Sequence, residues 1–75
     1  HPIVVLDPPR AGCSEKLLHS VALMRPKIIY VSCHPATCAR DVNLLTSRGY
    51  TIRKIVPVDM FPQTSHIEIA VLLEP

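Results

Sequence analysis

Short runs of apolar, largely β-branched residues alternate along this chain with apolar stripes at helical spacing, and prolines or glycines mark nearly every junction. Such a pattern leaves few folds open. A brief uninterrupted apolar run marks a strand covered on both faces, as in a parallel sheet. Parallel neighbours need a crossover, usually a helix. Residues 3–6 form the first run, which stops at Asp7. Pro8 and Pro9 cannot donate to a sheet and Gly12 adds a second break, so a loop follows directly. Ser14 reads as a helix N-cap, and Glu15 suits the positive end of the helix dipole. Leu17, Leu18, Val21 and Ala22 then make an apolar stripe, and Pro26 is expected to stop the helix.

Residues 28–31 form a second run that ends at Ser32 and Cys33. Residues 36–48 are helical again, with Cys38, Val42 and Leu45 on one side and Gly49 as a C-cap. Residues 50–58 read as a third strand, 60–65 as a loop, and 67–73 as a last strand. The connection between these two strands is too short for parallel neighbours, so they must run antiparallel. The expected fold class is α/β: a mostly parallel sheet with helices on its faces, closed by an antiparallel strand pair.

At 75 residues the chain can form one small unit, marginally stable alone. Its 48% hydrophobic content argues against disorder. The first apolar run begins within two residues of His1, which is expected of a piece of a longer protein. No signal peptide is visible, and no apolar run approaches the roughly 18 residues of a membrane span. Three cysteines at unrelated spacings make a poor disulfide framework and point to reduced thiols in the cytoplasm. A net charge of +2 permits a nucleic-acid partner without demanding one.

In open α/β sheets ligands bind beyond the carboxyl ends of the parallel strands. One such strand ends at Asp7 and the next at Ser32–Cys33; the antiparallel last strand starts at the same rim, near His66 and Glu68. Topology therefore predicts Asp7, Cys33, His66 and Glu68 on one side of the sheet, an active-site constellation. Each also has a plainer reading. Asp7 could cap a turn, Cys33 could be an inert thiol, and His66 with Glu68 could be a structural pair. Position favours chemistry for Cys33, since amides at a helix N-terminus favour a thiolate. Cys38 reads as core and Cys13 as an ordinary loop residue. A zinc site from Cys33, His34, Cys38 and His66 matches no common spacing, so no metal is expected.

Three motifs follow in order: Asp7-Pro8-Pro9-Arg10-Ala11-Gly12, then Ile28 to Thr37 around Ser32-Cys33-His34-Pro35, then Asp59-Met60-Phe61-Pro62-Gln63-Thr64-Ser65-His66-Ile67-Glu68. Together they resemble the signatures of the RNA uracil-5-methyltransferase family, over nearly the whole chain. The resemblance implies that residues 1–75 are the C-terminal half of a class I, Rossmann-like methyltransferase sheet. It also implies an S-adenosyl-L-methionine (SAM) dependent enzyme acting on tRNA or rRNA. Cys33 matches the family's nucleophile, Glu68 its proton acceptor, and Asp7 the acidic residue of the SAM site. His66 and Phe61 match positions that support Glu68 and shape the pocket. Arg10 is left with two roles, a phosphate contact or a hold on its loop. The family usually has Asn after the cysteine; here His34 stands there, which leaves the nucleophile in place. The glycine-rich SAM loop is absent, so these residues alone are expected neither to bind SAM tightly nor to methylate.

Two other classes compete. Cytosine-5 methyltransferases also use a cysteine, but in a Pro-Cys context and without this Phe-Pro-Gln-Thr-Ser-His-Ile-Glu ending. A non-catalytic RNA-binding homologue would be expected to have lost Cys33 or Glu68, and both are present.

Overall fold

The computed structural model describes residues 2–9, 11–58 and 68–75. Its elements run β1 (Ile3–Leu6), α1 (Glu15–Met24), β2 (Lys27–Ser32), α2 (Pro35–Ser47), β3 (Thr51–Val58) and β4 (Glu68–Glu74). This is the expected α/β alternation. The four strands form one mixed sheet in the order β1-β2-β4-β3. β1 and β2 are parallel, with Leu6 beside Tyr30. β4 runs antiparallel to both β2 and β3. The last strand thus does more than close the sheet against β3: it is inserted between β2 and β3. Parallel β3 leaves a vacancy beside β2 that an antiparallel strand fills, so β4 gains hydrogen-bond partners along both sides.

Alternate residues of β2 sort to opposite faces. Ile28, Tyr30 and Ser32 are buried, while Lys27, Ile29 and Val31 are only partly covered. Leu18, Val21 and Ala22 of α1 and Cys38, Val42 and Leu45 of α2 join Ile28, Tyr30, Val71 and Leu73 in a single core, so both helices lie on one face. Leu17, expected in the α1 stripe, is instead 46% exposed. It lies at the edge of the stripe, one residue before Leu18, which takes the core position. The opposite face is open around β1, where Ile3 and Val5 are each 62% exposed. β3, at the far edge of the sheet, is exposed from Thr51 to Pro57.

The helix ends follow their local chemistry. Ser14 caps α1 by accepting a hydrogen bond from the Leu17 amide at 3.1 Å. α1 stops one residue before Pro26, at Arg25, which turns left-handed (φ 56°). The Arg25 guanidinium donates to the Arg48 carbonyl at 2.9 Å and lies over the Tyr50 ring. Tyr50, expected in β3, precedes it as a core residue, its hydroxyl donating to the Pro26 carbonyl at 2.6 Å. Pro35 occupies the first turn of α2, where its missing N–H is harmless. Gly49, just after that helix, takes the expected positive φ of 95°. No described helix is long and apolar enough to cross a membrane.

Candidate functional site

β2 delivers Cys33 to the rim. Ser32 is the last residue of the strand and Pro35 opens the helix, so Cys33 sits in a two-residue turn and is exposed. Ser32 holds this turn: its hydroxyl accepts from the His34 amide at 3.0 Å and donates to the His34 carbonyl at 3.1 Å. The Thr37 hydroxyl donates to the same carbonyl at 3.2 Å. His34 is the N-cap of α2, but its side chain does not make the capping hydrogen bond. Cys38, one helical turn on, is buried as expected, and burial first, then the Asp41 carboxylate, pushes its thiol pKa up. Only Cys33 of the three thiols is both exposed and at the rim.

β4 brings Glu68 to the same rim. Ile69 pairs with Ser32, so Glu68, one residue earlier, and Cys33, one residue later, leave their strands side by side. This adjacency exists because β4 was inserted next to β2. Glu68 is half-buried, and on its other side the strand pairs it with Val58.

Asp7 lies one residue beyond the Leu6–Tyr30 pair, again at that rim, and is exposed. It stands in an open groove whose walls include Val5, Pro8, Pro9 and Leu17. An apolar lining with one carboxylate suits a ligand that joins an apolar body to a positive charge. The structure therefore gathers Asp7, Cys33 and Glu68 at one rim. Arg10, Phe61 and His66 lie outside the described residues. Among the described residues no three His, Cys, Asp or Glu side chains gather as a metal site.

The sequence reading missed a buried cluster behind the rim. Asp41 of α2 is 1% exposed. One carboxylate oxygen accepts from the Tyr30 hydroxyl at 2.5 Å and from the Cys13 amide at 2.8 Å. The other accepts from the Arg40 guanidinium at 3.2 Å. Arg40 also donates to the Ala11 carbonyl at 2.7 Å. Cys13 is thus no ordinary loop residue: it is buried and its backbone is tied to α2. Burial, then the nearby Asp41 charge, raises the Cys13 thiol pKa, with Arg40 opposing. Burial and the hydrogen bond to Asp41 push the Tyr30 phenol far above its ordinary range. The signal was available: Asp41 interrupts the apolar stripe formed by Cys38, Val42 and Leu45, and a buried carboxylate is costly unless partnered.

The family described as tRNA (Uracil-5-)-methyltransferase matches residues 2–75. An uncharacterized RNA methyltransferase of Listeria monocytogenes is 54% identical over 72 residues, covering 95% of this chain and 16% of the relative. One of Clostridium acetobutylicum is 53% identical over 73 residues, covering 96% and 16%. The crystal structure of Pyrococcus abyssi tRNA (uracil-54, C5)-methyltransferase in complex with S-adenosyl-L-homocysteine superimposes with a TM-score of 0.82 at 46% identity, over 95% of this chain and 17% of that one. The chain thus spans about a sixth of the length of the relatives it matches.

Proposed function

The chain belongs to the tRNA (uracil-5-)-methyltransferase family, and from that premise we propose that the full-length protein methylates C5 of a uridine in RNA, with Cys33 as nucleophile and SAM as donor. The observation that carries this is the exposed Cys33 thiol at the carboxyl end of β2, beside Glu68 at the start of β4. Residues 1–75 act as the C-terminal part of the catalytic domain. The uncovered face and free edge at β1, with Ile3 and Val5 exposed, provide a surface for the remaining strands and helices.

The chemistry fits these side chains. Uracil C5 is a weak nucleophile. Addition of the Cys33 thiolate to C6 forms an S–C6 bond and moves the ring's π electrons onto C5 and the O4 enolate. C5 then bonds to the methyl carbon. Bound SAM would supply that methyl from its sulfonium, the sulfur keeping the electron pair of the broken S–CH3 bond as S-adenosyl-L-homocysteine leaves. The C5 proton must next leave, and Glu68 takes it as general base. The electrons of that C–H bond re-form the C5–C6 double bond as the S–C6 bond breaks, releasing the thiolate. Splitting the reaction through a covalent adduct replaces one hard step with two easier ones. Asp7 fits the donor's charge: its carboxylate is exposed in an apolar groove at the same rim as the thiol. The target base must leave its stack to reach a rim thiol, so an unpaired loop is the expected substrate. Transfer RNA is the first RNA to try, since the Pyrococcus relative acts on it.

The test is to incubate the full-length protein with SAM and RNA containing 5-fluorouridine. Fluorine at C5 cannot leave as a proton, so the adduct should persist on a denaturing gel. A shifted protein–RNA band that disappears in Cys33→Ala is expected. A band that survives Cys33→Ala would overturn the assignment of the nucleophile, and a failure to form it with both tRNA and rRNA would overturn the reaction.

A further inference from the structure

We propose that Arg40 and Asp41 are positioning residues that lock the loop carrying Asp7 to the strand–helix unit carrying Cys33, so that donor and nucleophile are held in register. The inference rests on the methyltransferase reading above and adds to it residues that touch neither reactant.

The two reactive residues sit on separate pieces of backbone. Asp7 leads into the loop before α1, and Cys33 lies between β2 and α2. Asp41 joins the two pieces through one oxygen. Its α2 backbone and its partner Tyr30 on β2 belong to the Cys33 unit, while its partner amide at Cys13 belongs to the Asp7 loop. Arg40 adds a second tie two residues earlier in the loop, at the Ala11 carbonyl. Between these ties and Asp7 two prolines and one backbone hydrogen bond restrict the described residues. Pro8 and Pro9 have nearly fixed φ, and the Gly12 amide donates to the Pro9 carbonyl at 2.8 Å, closing a turn.

Gly12 shows how close the two pieces lie. It has φ 84°, and an added Cβ would stand 2.6 Å from an Arg40 nitrogen and 2.8 Å from an Asp41 oxygen. The Asp41 side chain is buried and cannot move aside, so glycine is required by conformation and by contact together. Arg40 is 60% exposed on its side chain, yet its guanidinium points back to the Asp41 carboxylate and the Ala11 carbonyl.

The test uses the full-length protein and two assays that separate the two halves of the site. Steady-state kinetics give the KM for SAM. Loss of tritium from C5-labelled uridine RNA, measured without SAM, reports the nucleophile's half of the site: Cys33 adds to C6, C5 takes a proton from solvent, Glu68 removes the triton and the thiolate leaves. Arg40→Ala removes an exposed side chain and should fold. A KM for SAM raised between about tenfold and a hundredfold, as expected for a misplaced binding group, with tritium release within about twofold of wild type, supports the lock. Arg40→Lys, which keeps one donor within reach of Ala11, should recover part of the loss. Gly12→Ala should reproduce the same split from the loop side. An unchanged KM for SAM in Arg40→Ala, or equal losses in both assays, overturns the proposal. Wild-type protein that neither turns over with SAM nor releases tritium overturns the methyltransferase reading itself, and the lock falls with it.

Discussion

Two loops leave the same rim of this sheet and are held in opposite ways. The turn around Cys33 is fixed by its own neighbours: Ser32 and Thr37 bond to His34, two and three residues away. The loop after Asp7 is fixed from a distance, by Asp41 across 28 residues and by Arg40 across 29. A nucleophile needs a thiol presented rigidly at one point, and a short turn between strand and helix does that unaided. The loop after Asp7, which on the proposed reading helps hold the donor, is longer and is anchored from outside itself. The comparison teaches that the loop should be the more fragile of the two, although it carries no covalent chemistry.

The largest effect should come where the turn meets its neighbour on β4. Glu68→Gln keeps the shape but removes the proposed base, and turnover should fall on the order of 10²- to 10⁴-fold. Ordinary uridine RNA should then form the gel-shifted adduct that wild type shows only with 5-fluorouridine. Rapid turnover without adduct would separate Glu68 from the chemistry.

Stability tests sharpen the contrast. Asp41→Ala leaves the buried Tyr30 hydroxyl and Cys13 amide without their acceptor, and should destabilise by about 2–4 kcal/mol, measured by denaturant unfolding of the full-length protein. Ser32→Ala breaks the local turn and should cost about 0.5–1.5 kcal/mol. If Ser32→Ala proves the more damaging, the ranking of the two loops is wrong.

Proton linkage gives a smaller effect. Cys13, Cys38 and Tyr30 all have folded pKa values raised above their ordinary values of 9.0 for the thiols and 10.0 for the phenol. The folded protein holds these protons more tightly than the unfolded chain does. Their contribution is complete below the unfolded pKa values and is lost as pH rises beyond them. Stability should therefore fall above about pH 9, and less steeply in Tyr30→Phe. Mass spectrometry after brief alkylation should find Cys33 labelled well before Cys13 or Cys38, because only Cys33 is exposed. Equal labelling would mean that the Asp7 loop opens readily.

Much of this was written locally in the sequence. Ser14 capping α1, Pro35 opening α2 and Gly49 following it act within a few residues, so their patterns predict the structure directly. The parallel strands ending at Asp7 and Cys33 could be read from apolar runs and the prolines after them. The exact ends were less legible. Arg25 rather than Pro26 turns α1, and Tyr50 packs in the core before β3, because tertiary contacts at Arg48 and Pro26 reward those positions.

By itself the sequence determined the order of elements, the α/β class and, among the described residues, that Asp7, Cys33 and Glu68 reach the rim, since each depends on periodicity and caps over a few positions. Only the tertiary structure decided that β4 enters between β2 and β3, bringing Glu68 beside the Cys33 strand. It also decided that Asp41 faces inward to tie two distant segments together. Both depend on which edge is open and which buried group still lacks a partner, and those are settled only when the whole chain has packed.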